Sequence, residues 1–238
     1  MRRAPFLGAL LLAALSIAAV PVRAEPPTLR LAVLKFGTVN WLTETILAEG
    51  LDEAAGYRLE VVPLAGKSAT TIAFESASAD LIVSDWVWAL GRRAKGHDLG
   101  FAPYSGALGA LMTRPDSGID SLCDLAGRSV GVVGGALDKS WLVYEALAAK
   151  DCGFGLDGST QALFGAPPLM SRELETGGVD AVSTYWHYAA RLDAAGMREV
   201  IDVVGALDRL GIRPAPPLVG FVWDRGRSEP DTVAAFLH

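Results

Sequence analysis

The sequence predicts an α/β protein made of two lobes of similar construction, each a mainly parallel sheet flanked by helices. Three observations carry this. Strand-like and helix-like runs alternate along the first part of the chain, the signature of a parallel sheet with helices on its faces. Two stretches, Asp80-Leu81-Ile82-Val83-Ser84-Asp85-Trp86-Val87-Trp88-Ala89 and Asp180-Ala181-Val182-Ser183-Thr184-Tyr185-Trp186-His187-Tyr188-Ala189, share one pattern: an Asp, a short apolar run, polar residues, then Trp-x-aromatic-Ala. The same spacing of 100 residues joins Trp41-Leu42 to Trp141-Leu142. Two lobes related in this way commonly bind something in the crevice between them.

Taken in order, Leu29 to Phe36 alternates as a strand does, and Gly37-Thr38-Val39-Asn40 is turn chemistry before a helical run from Trp41 to Ala55 that Gly56 ends. Arg58 to Pro63 is a second strand, Ala65-Gly66-Lys67-Ser68 the loop after it, Thr70 to Ser78 a helix and Leu81 to Val83 a third strand. An apolar, glycine-bearing crossing segment runs from Phe101 to Met112 and is followed by the polar turn Arg114-Pro115-Asp116-Ser117-Gly118; the first interlobe hinge is expected in this stretch. The pattern then begins again. Ser121 to Leu125 is a short helix, Ser129 to Val133 a strand, Gly134-Gly135 a turn and Asp138 to Lys150 a helix. Ala162 to Phe164 is a short strand, Pro168 to Glu175 a helix and Arg198 to Val204 one more strand. Pro214-Ala215-Pro216-Pro217 breaks the pattern, and Leu218 to Trp223 carries the chain back to the first lobe. Ser228-Glu229-Pro230-Asp231 has the form of a helix start with Ser228 as N-cap. The lobes expected are therefore residues 25–110 and 111–213, with 214–238 returning to lobe one.

Met1-Arg2-Arg3, the apolar run Phe6 to Val20 and Val22-Arg23-Ala24 read as a secretory signal peptide over residues 1–24, cleaved before Glu25. The apolar run is shorter than the roughly 20 residues of a spanning helix. Cleavage removes Arg2, Arg3 and Arg23 and no acid, so the formal net charge moves from −6 to −9. Such an acidic chain argues against nucleic-acid binding, which needs clustered Lys or Arg. Cys123 and Cys152 would stand in an oxidising compartment, where they can pair; their spacing alone does not decide whether they do.

Several motifs are excluded by context. Gly127-Arg128-Ser129-Val130-Gly131 has the letters of a hydrolase nucleophile elbow, but its Ser opens a strand instead of sitting at a strand-to-helix turn. Gly153-Phe154-Gly155-Leu156-Asp157-Gly158 has the letters of a dinucleotide fingerprint, yet it follows a helix. His97, His187 and His238 are scattered, and no Cys spacing suits zinc, so neither a metal nor a cofactor is expected.

Ligands of open parallel sheets bind beyond the carboxyl ends of the strands. That rule selects Thr38, Asn40 and Trp41, then Lys67, Ser68 and Ala69, then Ser84, Asp85 and Trp86 from lobe one. From lobe two it selects Gly135, Asp138, Ser140 and Trp141, then Thr184, Tyr185, Trp186 and His187. Each has a structural reading beside the functional one. Ser68 and Thr70 cap a helix, or with Lys67 they form an anion site at a helix N-terminus. Trp86 and Trp186 are core aromatics, or they stack on a planar solute; Trp41 and Trp141 read as packing residues. Asp85 is costly to bury unpaired, so it meets a donor on the ligand or pairs with Lys67. His187 is a ligand donor or a solvated residue at a helix start.

The run Gly66 to Asp80 feeding a strand, Asp124-Leu125-Ala126-Gly127-Arg128-Ser129-Val130-Gly131-Val132 opening the second lobe, and Gly178-Val179-Asp180-Ala181-Val182 before an aromatic pair resemble the periplasmic solute-binding proteins of ABC importers. The branch is the one with nitrate, taurine and sulfonate binders (SsuA/TauA-like) and thiamine-precursor (NMT1/THI5-like) proteins. The resemblance implies a two-lobed periplasmic binding protein type II clamshell that acts as a monomer, closes on a small-molecule solute and delivers it to an ABC permease in the inner membrane. It implies a binder and not an enzyme. The fold is shared with pyrimidine synthases and chorismate-type dehydratases, and a ligand-sensing subunit for a membrane receptor is a further alternative. Family members usually continue well past residue 238.

Overall fold

A computed structural model describes residues 25–238, so the expected signal peptide lies outside the described residues. The first lobe runs β1 (Thr28–Leu34), α1 (Val39–Ala48), α2 (Leu51–Ala54), β2 (Arg58–Leu64), α3 (Lys67–Glu75), β3 (Leu81–Asp85), α4 (Trp86–Arg93) and β4 (Leu99–Ser105). The second runs β5 (Gly109–Thr113), a 3-10 turn (Leu122–Leu125), β6 (Ser129–Val133), α5 (Lys139–Cys152), β7 (Gln161–Gly165), α6 (Pro167–Thr176), β8 (Ala181–Tyr185), α7 (Trp186–Ala194), β9 (Arg198–Asp202) and α8 (Val203–Arg209). The chain then returns to the first lobe in β10 (Val219–Asp224) and α9 (Pro230–Leu237).

The sheets are built to one plan. The first has strand order β2-β1-β3-β10-β4 and the second β7-β6-β8-β5-β9. In each, three strands are parallel and the strand beside the third is antiparallel to both its neighbours. That antiparallel strand is always the one arriving from the other lobe: β5 after the first crossing, β10 after the second. Trp186 N–H donates to the Leu108 carbonyl and Trp86 N–H to the Leu218 carbonyl, both at 3.3 Å, so each arrival is tied to the helix start that follows the adjacent strand. Gly109 and Gly220 lie near the starts of the two arriving strands, one register position apart. A Cβ at Gly109 would overlap the Thr184 carbonyl oxygen, and one at Gly220 the Ala102 carbonyl oxygen, so both strands need glycine for close approach.

The repeated Asp has a structural explanation. Asp80 Oδ2 accepts the Arg30 backbone N–H at 2.9 Å and its Oδ1 the Arg30 guanidinium at 2.7 Å, while Asp180 Oδ2 accepts the Ser129 N–H at 2.9 Å and its hydroxyl at 2.8 Å. Each Asp leads into the third parallel strand and fixes its register against the neighbouring strand. Apolar clusters then fill both sides of each sheet. Leu31, Leu59, Leu81 and Phe221 pack on one side of the first sheet, and Ala32, Phe74, Ile82 and Val222 on the other. Leu111, Val132, Tyr144 and Leu147 pack on one side of the second, and Met112, Met170, Leu174 and Val182 on the other.

Several expectations are corrected. The helix expected from Trp41 to Ala55 is two helices, because Gly50 adopts the left-handed conformation (φ 62°) between them. The first crossing lies between β4 and β5, within the expected Phe101–Met112 segment, and the turn at Arg114–Gly118 follows β5 in the second lobe. Part of the expected crossing segment is the regular strand β4. The strand expected to run to Val204 stops at Asp202, whose Oδ1 accepts the Gly205 N–H at 2.6 Å and starts α8. The last helix is preceded by Glu229, not Ser228, whose N–H is held by the Asp224 carbonyl.

Cys123 and Cys152 form a disulfide that ties the 3-10 turn to the end of α5, with Cα atoms 5.3 Å apart and a sequence separation of 29. By chain-entropy reasoning, a loop of this length contributes about 3–4 kcal/mol. The Cys123→Ser/Cys152→Ser variant is accordingly expected to lose about 2–4 kcal/mol in urea unfolding.

Candidate functional site

The carboxyl ends of the parallel strands in both sheets point to the space between the lobes. An inner cavity of about 110 Å³ lies there, walled by Thr38, Ser84 and Asp85 from lobe one and by Asp138, Tyr185 and Trp186 from lobe two. It widens at either side. One opening, about 520 Å³, is the more polar of the two and carries the charged or titratable side chains Lys35, Glu44, His187 and Arg191 beside apolar ones such as Trp41, Leu47 and Val61. The other, about 490 Å³, is mainly apolar and glycine-lined.

Lys67 and Asp85 form an ion pair, Nζ to Oδ2, at 2.6 Å. Asp85 Oδ1 accepts the Trp88 N–H at 2.7 Å, so the same carboxylate caps α4. Burial pushes the Asp85 carboxyl up, but the Lys67 charge and hydrogen bond, the Trp88 N–H and the Lys139 charge outweigh it and hold the group below its ordinary 3.8. Of the two sequence readings of Asp85, the structure shows the pairing with Lys67. Across the cleft Asp138 Oδ1 accepts the Ser140 N–H at 2.9 Å and caps α5, and Lys139 Nζ stands 3.9 Å from Asp138 Oδ2. The inner cavity thus holds two cations and two carboxylates. Tyr185, stacked on His187 with centroids 6.2 Å apart, has its hydroxyl pushed up by burial and then by the Asp138 charge.

Contacts between the lobes narrow the polar mouth. Trp41 packs edge-on against Trp186 at 6.1 Å and against His187 at 6.1 Å. His187 Nε2 lies 2.9 Å from the Phe36 carbonyl oxygen; a carbonyl can only accept, so Nε2 carries the hydrogen. Burial lowers the His187 pKa from its ordinary 6.5; the hydrogen bond to Phe36 opposes this and Arg191 reinforces it.

The sequence candidates divide by position. Thr38, Lys67, Ser84, Asp85, Asp138, Tyr185, Trp186 and His187 line the inner cavity. Asn40 and Trp41 line the polar mouth; Ser68, Ala69 and Gly135 line the apolar one. Asn40 Nδ2 is committed to the backbone, donating to the Leu34 and Gly37 carbonyls at 2.9 and 2.8 Å. Ser140, Trp141 and Thr184 are buried and line none of these three spaces. Trp86 packs against the second lobe's core cluster, beside Leu218, and is not on the cavity wall. The tryptophan facing Trp186 across the gap is therefore Trp41 and not its repeat partner. Phe36, Lys139 and Phe164 line these spaces without having been singled out. The strand-end rule reaches all three, but two are apolar and Lys139 is overshadowed by the capping Asp beside it. Among the described residues no group of three or more His, Cys, Asp or Glu could hold a metal, and no helix is long and apolar enough to cross a membrane.

Two α/β lobes, joined by two crossings and walling a cavity from both sides, define the two-lobed periplasmic-binding-protein class of fold. The family model described as NMT1/THI5 like matches residues 48–238, and the chain belongs to that family. No curated protein sequence matches the chain. Among solved structures it is similar to the periplasmic aliphatic sulphonate binding protein SsuA of Escherichia coli, with 20% identity and a TM-score of 0.61 over 84% of this chain and 62% of that one. It is also similar to the alkanesulfonate-binding protein SsuA of Xanthomonas axonopodis pv. citri, bound to MOPS, with 21% identity and a TM-score of 0.64 over 85% and 67%. A protein of Bordetella bronchiseptica RB50 gives 20% identity and a TM-score of 0.72 over 90% and 69%. The chain thus spans 62% of the length of the Escherichia coli protein, and at these identities the likeness is one of fold.

Two outcomes are expected. Lys67→Met leaves Asp85 without its ion partner and should cost about 2–3 kcal/mol in thermal unfolding, less than a fully buried pair because Lys67 keeps some exposure. Adding Asp85→Asn, which keeps the helix cap, should restore most of that. Burial of His187 favours the neutral imidazole over the opposing hydrogen bond to Phe36, so the stability of this buried arrangement is complete above pH 6.5 and declines as pH falls below that value through the lowered one. Tryptophan fluorescence of the ligand-free protein should report this transition, and His187→Phe should remove it.

Proposed function

We propose that the chain is the solute-binding subunit of an ABC import system, working outside the cytoplasm and handing a small organic solute to a permease of the inner membrane. The observation that carries this reading is the cavity with walls from both lobes, at the strand ends where α/β sheets bind ligands. Family membership and the likeness in fold to binding proteins support it, as does the leader-like N-terminal sequence. In this reading one lobe is residues 25–105 with the returning β10 and α9, the other begins at β5, and closure is a hinge motion about the two crossings. The solute contacts are those candidates that reach the inner cavity: Thr38, Lys67, Ser84, Asp138, Tyr185, Trp186 and His187. Asp85 sets the position and charge of Lys67.

Sulfonates, phosphonates, amines and pyrimidines are the first classes to screen. The two similar SsuA proteins bind sulfonates by name. Here, however, each cation of the inner cavity has a carboxylate beside it, which favours a solute with both donors and acceptors over a bare oxyanion.

A thermal-shift screen tests the proposal. A true solute at a hundred times its Kd should stabilise the protein by about 2.7 kcal/mol, and it should change tryptophan fluorescence through Trp41 and Trp186. Trp186→Ala should weaken binding at least tenfold while leaving circular dichroism intact. If no small solute shifts the melting curve and the purified protein instead turns over a substrate, the binding role is wrong.

A further inference from the structure

The two openings of the cleft differ in a way that bears on the shape of the solute. The polar opening meets the inner cavity at Gly37 and His187, where the Trp41, Trp186 and His187 contacts cross between the lobes and narrow the passage. The other opening is continuous with that cavity through Leu34, Lys67 and Tyr185, which line both. Lys67 is its one charged side chain among the described residues, and its remaining wall is mostly aromatic, aliphatic and glycine. Both lobes build it: Phe36, Ala65 and Ala69 from the first, Val133, Phe164 and Pro167 from the second. Phe164 is 53% exposed, on β7 at the edge of its sheet, with its side chain on this opening. The apolar compartment offers about 490 Å³ against about 110 Å³ in the inner cavity, so most of the room for a solute lies outside the polar centre.

We infer that this compartment is a second subsite, and that the solute is an elongated amphiphile: its polar end sits beside Lys67 and Tyr185, and an alkyl chain or ring lies between Phe36 and Phe164. The inference rests on the solute-binding reading and adds a class to it. Apolar surface removed from water drives the tail into the compartment, while the paired charges beyond the Lys67 neck exclude it from the inner cavity. Because the walls come from both lobes, a tail lying there also favours the closed arrangement.

The test uses 1-alkanesulfonates and 1-alkylureas of one, four and eight carbons, titrated by calorimetry into the protein and into the Phe164→Ser and Ala65→Trp variants. Phe164 is exposed and Ala65 lies on an exposed loop, so both variants should keep the parent melting temperature and circular dichroism. In at least one series, affinity should rise about twofold to fourfold per methylene. Each variant should weaken the eight-carbon member about tenfold and leave the one-carbon member unchanged. Affinity independent of chain length, or a gain insensitive to both substitutions, overturns the subsite and leaves the binding reading intact. The same holds if neither series binds while a compact solute of another class does. If no solute of any class binds, both fail.

Discussion

The molecule depends on one constraint: each sheet is completed by a strand that the other lobe sends to it. β5 and β10 enter as the antiparallel neighbours of β8 and β3, and the Trp186 and Trp86 amides hold the carbonyls just before them. The two crossings cannot shift without breaking sheet pairing, so the lobes are held at the base of the cleft, and relative motion is confined to hinging about that line. Glycine serves the pairing of both arriving strands, since a side chain at Gly109 would push β5 away from β8 and one at Gly220 would push β10 away from β4. The cleft is a consequence of the topology, because both sets of strand ends face the same gap.

Electrostatics then shape what the gap can hold. A buried carboxylate such as Asp85 is tolerated because it is used twice, by Lys67 and by the first turn of α4. Asp138 answers it from the other lobe in the same capacity, holding the start of α5. Two helix N-termini that would otherwise offer bare N–H groups to an anion are therefore already occupied by carboxylates. The consequence is a polar centre with little net charge, in a chain whose overall balance is −6. An anion site would have been built with the cations and without the acids.

Much of this was legible in the sequence, because repetition and strand-end chemistry are local signals. The Asp-led stretches at Asp80 and Asp180 announced two lobes, and their physical role is to pin strand register at Arg30 and Ser129. Asp85 and Lys67 could be paired on paper because a buried carboxylate needs a partner. What sequence left open was anything decided by the meeting of distant segments. Trp86 and Trp186 look equivalent, yet one is drawn into the core around Leu218 while the other meets Trp41 from the opposite lobe. The crossing could be placed only within a stretch of chain for a similar reason: Arg114–Gly118 has the composition of a linker, whereas the actual crossing at Gly106–Leu108, inside the Phe101–Met112 segment, is short and half apolar. α8 was hidden because Val203 and Val204 prolong the apolar run of β9, and only the cap at Asp202 turns the chain into a helix.

The size of the contact across the polar mouth bears on how such a protein works. An edge-to-face pair such as Trp41 with Trp186 is worth about 0.5–1.5 kcal/mol beyond its buried area. The His187 to Phe36 hydrogen bond adds a net contribution of about 0.5–1.5 kcal/mol. Together they bias the lobes toward the closed arrangement without locking it, since a bias of about 1–3 kcal/mol leaves the open form accessible to thermal motion. A solute gripped by both lobes need add only a similar amount of differential contact to make closure nearly complete. A much stronger clasp would close the cleft before a solute could enter, and a much weaker one would make the solute supply all the energy of closure at the expense of its affinity. The modest clasp at Trp41, Trp186 and His187 is thus the arrangement that lets a small ligand decide the state of the molecule.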